Sequence, residues 1–289
     1  MNNSVMLRCI LVTHATELAM QRFHRLFNPK CNVIGMIHVG ALPGTPNYRG
    51  SVSEITENAC KDAEIYKKCE VDGVLIENMH DVPYVQPRDM EPETVSLLSC
   101  ISMQIRNILP PTIQCGVQVL AGGNKEAIAI SLAAGLQFIR AEGFVFSHIA
   151  DEGFTDASAG TLLRYRKKLS ADQVLIFADV KKKHSAHAIT ADISLDETIK
   201  AAEFFMSDGV IITGSATGEP VDDDHFKAAK QSAKGPVLIG SGVTDENVKK
   251  YMNSDGLIVG SHFKKDGRWQ NAVDPERVQR FMEKIKQYQ

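Results

Sequence analysis

From residue 33 onward, short apolar runs alternate with amphipathic stretches. The runs cover 33–38, 73–77, 113–120, 138–142, 174–181, 209–213, 237–240 and 256–260. Each is short and rich in Val, Ile and Leu, as strands buried on both faces of a parallel sheet must be. The stretches between them read as helices over 53–69, 92–109, 125–134, 157–169, 194–206, 222–233, 244–253 and 274–287. Local signals support several of these. Acids open the first helix and Lys67 and Lys68 close it, matching the helix dipole. Pro92 suits a first turn, and Pro110 and Pro111 stop the helix that follows. Asp274 followed by Pro275 suits a cap and first turn.

Strict strand–helix alternation implies a parallel sheet, because parallel strands need crossovers. Repeated eight times without a break in composition, it predicts an α/β fold: a single (β/α)8 TIM barrel over 31–289 behind a short N-terminal extension, 1–30. No Gly-x-Gly-x-x-Gly follows the first run, which argues against a dinucleotide-binding sheet. The two longest irregular stretches, 39–52 and 78–91, both follow strands, at the end where barrel active sites lie.

Alternation along each run assigns side chains to faces. Met36 and His38 share one face, as do Leu75 and Glu77, Gly116 and Gln118, Phe138, Arg140 and Glu142, and Phe177, Asp179 and Lys181. In every case the polar member stands at the C-terminal end. His38, Glu77, Gln118, Arg140, Glu142, Asp179 and Lys181 are therefore expected around one mouth, with Thr213 ending the sixth strand and Gln118 and Thr213 as substrate contacts. Each alone reads as a solvated strand end, but the repetition over five successive strands points to a pocket. Burying such charges costs several kcal/mol each unless they pair. Lys181 is the expected inward lysine, Lys182 and Lys183 are expected in solvent, and His184 is an acid–base candidate. A divalent metal on His38, Glu77, Glu142 and Asp179 is conceivable but disfavoured: no His-x-His or His-Glu-x-x-His spacing occurs, and Arg140 and Lys181 repel a cation.

Strands six to eight carry a second signal. Gly240-Ser241-Gly242 and Gly260-Ser261 end two consecutive strands, and Thr213-Gly214-Ser215 ends the one before. Glycine lets backbone N–H groups approach a ligand, serine adds a hydroxyl, and the loops after strands seven and eight hold phosphate in many barrels. Gly214, Ser215, Gly240, Ser241, Gly242, Gly260 and Ser261 are the expected phosphate contacts.

Composition narrows the class. The 289 residues carry a net charge of −3, which argues against a broad nucleic-acid footprint. No apolar run reaches the ~20 residues that span a bilayer. Six scattered cysteines without a Cys-x-x-Cys pair suit reduced thiols and a cytoplasmic setting. Residues 1–30 hold Arg8, Arg22, Arg25 and Lys30 against Glu17 alone, which suits a mitochondrial targeting segment. The alternative is a short helix over about 17–27 closing the bottom of the barrel. The oligomeric state is open, with a homo-oligomer allowed.

The segments Gly35-Met36-Ile37-His38-Val39-Gly40-Ala41-Leu42-Pro43-Gly44, Asp72-Gly73-Val74-Leu75-Ile76-Glu77-Asn78, Gly116-Val117-Gln118-Val119-Leu120, Ala178-Asp179-Val180-Lys181 and Thr213-Gly214-Ser215 resemble the BtpA/SgcQ family of TIM-barrel proteins. The resemblance covers about 33–265. It implies a barrel of the ribulose-phosphate-binding group; one family branch is implicated in photosystem I accumulation, and another sits among sugar-metabolism genes. Two departures stand out. Ala121-Gly122-Gly123 replaces an Arg-Asn-Asp-like run, and Ala141-Glu142 replaces an apolar–Asn pair, removing a cation from the mouth and adding a carboxylate. The expected function is acid–base chemistry on a phosphorylated small molecule of sugar-phosphate or phosphoribosyl type, by an isomerase, lyase or transferase. The competing readings are a non-catalytic assembly or stability factor and a small-molecule-binding protein without turnover. No cofactor is identified.

Overall fold

The computed structural model describes residues 17–214 and 218–289. Eight parallel strands close into a barrel: β1 (Asn32–His38), β2 (Gly73–Glu77), β3 (Gln114–Gln118), β4 (Phe138–Ala141), β7 (Leu175–Val180), β9 (Gly209–Ile212), β10 (Val237–Ile239) and β11 (Gly256–Val259), with β11 pairing back onto β1. Helix α1 covers residues 17–24. It precedes α2 (Val52–Lys68), α3 (Pro92–Ile108), α4 (Asn124–Ala134), α5 (Ala159–Lys168), α6 (Leu195–Phe204), α7 (Asp223–Ser232) and α8 (Pro275–Tyr288).

The caps follow from sequence. Ser194 and Glu197 form a capping box on α6. Asp222 caps α7 and Asp274 caps α8, each accepting two backbone N–H groups. The helix expected over 244–253 is a correction, for it shrinks to a 3-10 turn, Val248–Tyr251. The physical reason is Asn247. Its side chain accepts from the Thr244 N–H at 2.9 Å and donates to the Gly242 carbonyl at 2.8 Å, giving the backbone local partners instead of a helical ladder.

Two layers of apolar side chains follow the alternation. Outward residues such as Val33, Ile37, Val74 and Ile76 pack under the helices. Inward ones, Ile34, Met36, Leu75, Phe138, Leu175, Phe177, Ile211, Leu238 and Ile258, fill the barrel. Gly116 is glycine because Phe138 occupies the space: a Cβ there would lie 2.3 Å from the ring. Phe23 of α1 and Phe27 just beyond it plug the lower end. Phe27 lies 5.0 Å from Phe23 and 5.8 Å from Phe138, and Phe23 lies 5.9 Å from Phe177.

Above the mouth lies a small antiparallel sheet that the alternation did not announce: β5 (His148–Ala150), β6 (Gly153–Thr155) and β8 (Ser185–Ala186). It joins the loop after β4 to the loop after β7. Among the described residues no helix is long and apolar enough to cross a membrane.

Candidate active site

Register sets the first row of the mouth. His38 pairs with Glu77 and Glu77 with Gln118, so three polar side chains end adjacent strands on one face. His38 is buried. Its Nδ1 lies 3.1 Å from the Trp269 carbonyl oxygen, so the ring proton belongs on Nδ1 and the Nε2 lone pair faces inward. Burial, with the Lys264 charge behind it, holds the imidazole well below its usual range and therefore neutral. Glu77 Oε2 lies 3.7 Å from that Nε2. Burial pushes the Glu77 carboxyl up to about 7, against the pull of Arg140.

Arg140 is buried and grips Asp179. Its Nε lies 3.1 and 3.0 Å from the two carboxylate oxygens, and a terminal nitrogen lies 3.0 Å from Oδ1. Burial works against the guanidinium charge, but Asp179 outweighs it and holds Arg140 protonated. Gly240 lies beside this pair and is glycine because of Ile211: a Cβ there would meet the Ile211 side chain at 2.5 Å.

A cavity of about 230 Å³ joins these groups to the turns after β10 and β11. His38, Glu77, Arg140 and Lys183 line it together with Gly240, Ser241, Gly242, Gly260 and Ser261. Two further lining residues were missed in the sequence. Arg277, in the first turn of α8, donates from Nε to the His262 carbonyl at 2.6 Å, which fixes its guanidinium at the rim. His262 lines the same cavity, and burial lowers it to about 4. The only sequence signal for Arg277 was its position three residues after a predicted helix cap.

Several expected residues sit elsewhere. Lys181 does not face the cavity. Its φ of +51° breaks the alternation, and its ammonium donates to the Ile193 and Thr190 carbonyls at 2.6 and 3.2 Å. Lys183 takes the inward place, and burial together with Arg140 lowers its pKa. Lys182, expected in solvent, is 3.1 Å from Glu152 and 3.6 Å from Glu142. Glu142 lies outside the 230 Å³ cavity in a buried cluster: it accepts from Gln118 Nε2 at 3.2 Å and the Gly122 N–H at 2.9 Å. Burial raises its pKa against the Lys182 charge. Gln118 and Asp179 belong to the walls rather than the cavity lining. His184 is exposed and does not line it.

The Gly214 N–H is already spent, donating to Ser241 Oγ at 2.8 Å, while that hydroxyl donates to the Glu219 carbonyl at 3.2 Å. Gly214 and Ser241 thus tie two loops together. Thr213 Oγ1 is buried without a hydrogen-bond partner among the described residues. Ser215 lies outside the described residues. Among the described residues no three His, Cys, Asp or Glu side chains converge as a metal set.

A network that sequence reading missed holds the upper loops. Asn78 accepts from the Leu120 N–H at 2.7 Å and donates to Asp81 at 2.9 Å, and Asp81 accepts from the Leu42 N–H at 2.8 Å. It stitches the loops after β1, β2 and β3. Its signal was Asn78 immediately after Glu77.

A closed eight-stranded parallel barrel with its charged side chains gathered at the C-terminal mouth defines a TIM-barrel protein. Within that class the chain belongs to the BtpA family, whose model matches residues 29–287. It is 48% identical over 256 residues to an uncharacterized protein of Caenorhabditis elegans whose name includes the word mitochondrial, covering 88% of this chain and 92% of that one. It is 34% identical to the photosystem I biogenesis protein BtpA of Synechocystis, covering 87% and 86%. Among solved structures, thiamine phosphate pyrophosphorylase from Pyrococcus furiosus superposes with a TM-score of 0.55 at 10% identity, covering 92% of this chain and 98% of that one. Phosphoribosyl anthranilate isomerase from Thermus thermophilus superposes with a TM-score of 0.55 at 12% identity, covering 89% and 100%. At such identities the superpositions speak for the fold alone.

Proposed function

We propose that the protein is an enzyme acting on a phosphorylated small molecule, of sugar-phosphate or phosphoribosyl type, by proton transfer at the barrel mouth. One observation carries this: a single cavity is lined both by the Gly-Ser turns with Arg277 and by His38, Glu77, Arg140 and Lys183. The turns and Arg277 suit a phosphate, and the strand-end side chains suit the reacting end. Glu77, with a pKa of about 7, takes or gives the proton. His38, neutral with Nε2 open to the cavity, is its partner in relay. Arg140 and Lys183 stabilise an oxyanion as it forms. The names of two enzymes that share the fold, a thiamine phosphate pyrophosphorylase and a phosphoribosyl anthranilate isomerase, each contain a phosphorylated small molecule, in keeping with the reading.

Calorimetric titration with ribose 5-phosphate tests the anchor. Arg277→Ala weakens binding by about tenfold or more, the scale of a charged hydrogen bond to phosphate. Equal affinity in the two proteins would remove Arg277 and the turns from the reading. The name of the Synechocystis relative favours a second reading, a biogenesis factor without turnover. Under it, Glu77→Gln and Arg277→Ala chains perform in cells as the wild type does.

The basic start and the nematode relative's name together favour the mitochondrion over the cytoplasm. Phe23 and Phe27 plug the barrel, so any processing that keeps the plug falls before Phe23.

A further inference from the structure

A second, larger hollow adjoins the mouth. It measures about 810 Å³ and runs between the loop after β1, helix α2 and the segment from Lys264 to Val273. His38 lines both spaces. The smaller one falls below the ~300–1,000 Å³ of ordinary small-molecule sites, and the larger one falls within that range. A phosphate and a few sugar atoms would fill the first, and a group attached to them would reach the second by passing His38, the side chain the two share.

The lining of the groove identifies that continuation. Trp269, the one tryptophan of the chain, is half-buried in its wall, its ring 5.1 Å from His80 and 6.3 Å from His38. Four carboxamides, Asn47, Asn58, Gln270 and Asn271, line the same hollow beside Arg49, Glu54 and Lys61; Asn47 and Asn271 each also donate to a backbone carbonyl, of Val82 and Lys265. An indole face accepts a flat ring by stacking, and carboxamides match a ring edge that carries a donor beside an acceptor. The wall is fixed in place. Lys264 is buried and lies 3.0 Å from Asp62, and the same carboxylate accepts from the Val273 N–H at 3.3 Å, so both ends of the Trp269 segment are pinned to α2. The Trp269 carbonyl in turn orients His38.

We infer that the substrate is a two-part molecule of nucleotide type: a phosphate-bearing sugar in the barrel mouth and a planar heteroaromatic ring in the groove against Trp269. This rests on the phosphate reading above and specifies what the phosphate is joined to.

Calorimetry with ribose 5-phosphate and with the adenosine, guanosine, cytidine and uridine 5′-monophosphates tests it. At least one nucleotide binds about tenfold or more tightly than ribose 5-phosphate, the scale of one stacked ring. That nucleotide also quenches the single tryptophan emission, which ribose 5-phosphate leaves unchanged. Trp269→Leu removes most of the advantage without altering the affinity for ribose 5-phosphate. Asn58→Ala, at an exposed helix position, reduces the advantage severalfold and guards against misfolding of the Trp269 segment. If ribose 5-phosphate binds and no nucleotide improves on it, or Trp269→Leu keeps the full advantage, the inference is overturned while the phosphate anchor stands. If neither ribose 5-phosphate nor any nucleotide binds, the phosphate reading fails first and takes this one with it.

Discussion

Glu77 shows how much one buried carboxyl can control. Burial lifts it from an ordinary 4.5 to about 7, so the folded chain holds a proton that the unfolded chain has released. Its contribution to stability is full below pH 4.5 and disappears as the pH rises through 7. Glu77→Gln mimics the protonated form and lacks this dependence. Denaturant unfolding of both proteins between pH 4.5 and 8 is expected to show the wild type losing up to about 3 kcal/mol relative to the variant. His38, depressed by burial, shifts stability in the opposite direction, but it is common to both proteins and drops out of the difference. Parallel pH profiles would mean that Glu77 is ionised throughout and is no proton donor. The lysines teach a related lesson. Period-two reasoning placed Lys181 inward, and it fails where the chain leaves the extended region at φ +51°. Lys183 then takes the inward place. Hydrophobic patterning has no signal for such a turn, because it involves no apolar residue.

At the level of elements, the barrel was legible because its strands are buried on both faces and its crossovers are amphipathic. The eight runs matched β1, β2, β3, β4, β7, β9, β10 and β11 to within a residue or two at each end. The β5, β6 and β8 strands escaped because two- and three-residue pieces carry no usable period. Their apolar members, Ile149 and Phe154, pair across strands and face outward, so burial did not mark them either. This small sheet carries the His148 side of the loops over the mouth. The 121–123 turn and the end of the fourth strand meet in space, since the Gly122 N–H donates to the Glu142 carboxylate. The segment from helix α1 to Phe27 has a clear stability role. Phe27 is 3% exposed beneath the barrel floor. Phe27→Ala should cost about 3–5 kcal/mol in denaturant unfolding, since the aromatic plug has nothing to replace it. A loss under 1 kcal/mol would show that the barrel closes without it.

Across the whole molecule, the mouth collects groups that arrive from distant parts of the chain. His38 comes from β1, Glu77 from β2, Arg140 from β4, Lys183 from beyond β7, and Arg277 from α8. Strand ends were readable one by one, but Arg277 and Trp269 were not, because the barrel's closure alone brings the last crossover beside β1. His38 lines both cavities, so a sugar phosphate in the mouth and a ring in the groove would meet at that one side chain. Diffraction from crystals grown with ribose 5-phosphate tests the site in the mouth most directly. The account predicts the phosphorus between the Gly240–Gly242 and Gly260–Ser261 turns, within hydrogen-bond reach of Arg277, with the sugar directed at His38 and Glu77. A phosphate bound at the opposite end of the barrel, or a sugar turned away from Glu77, would contradict it.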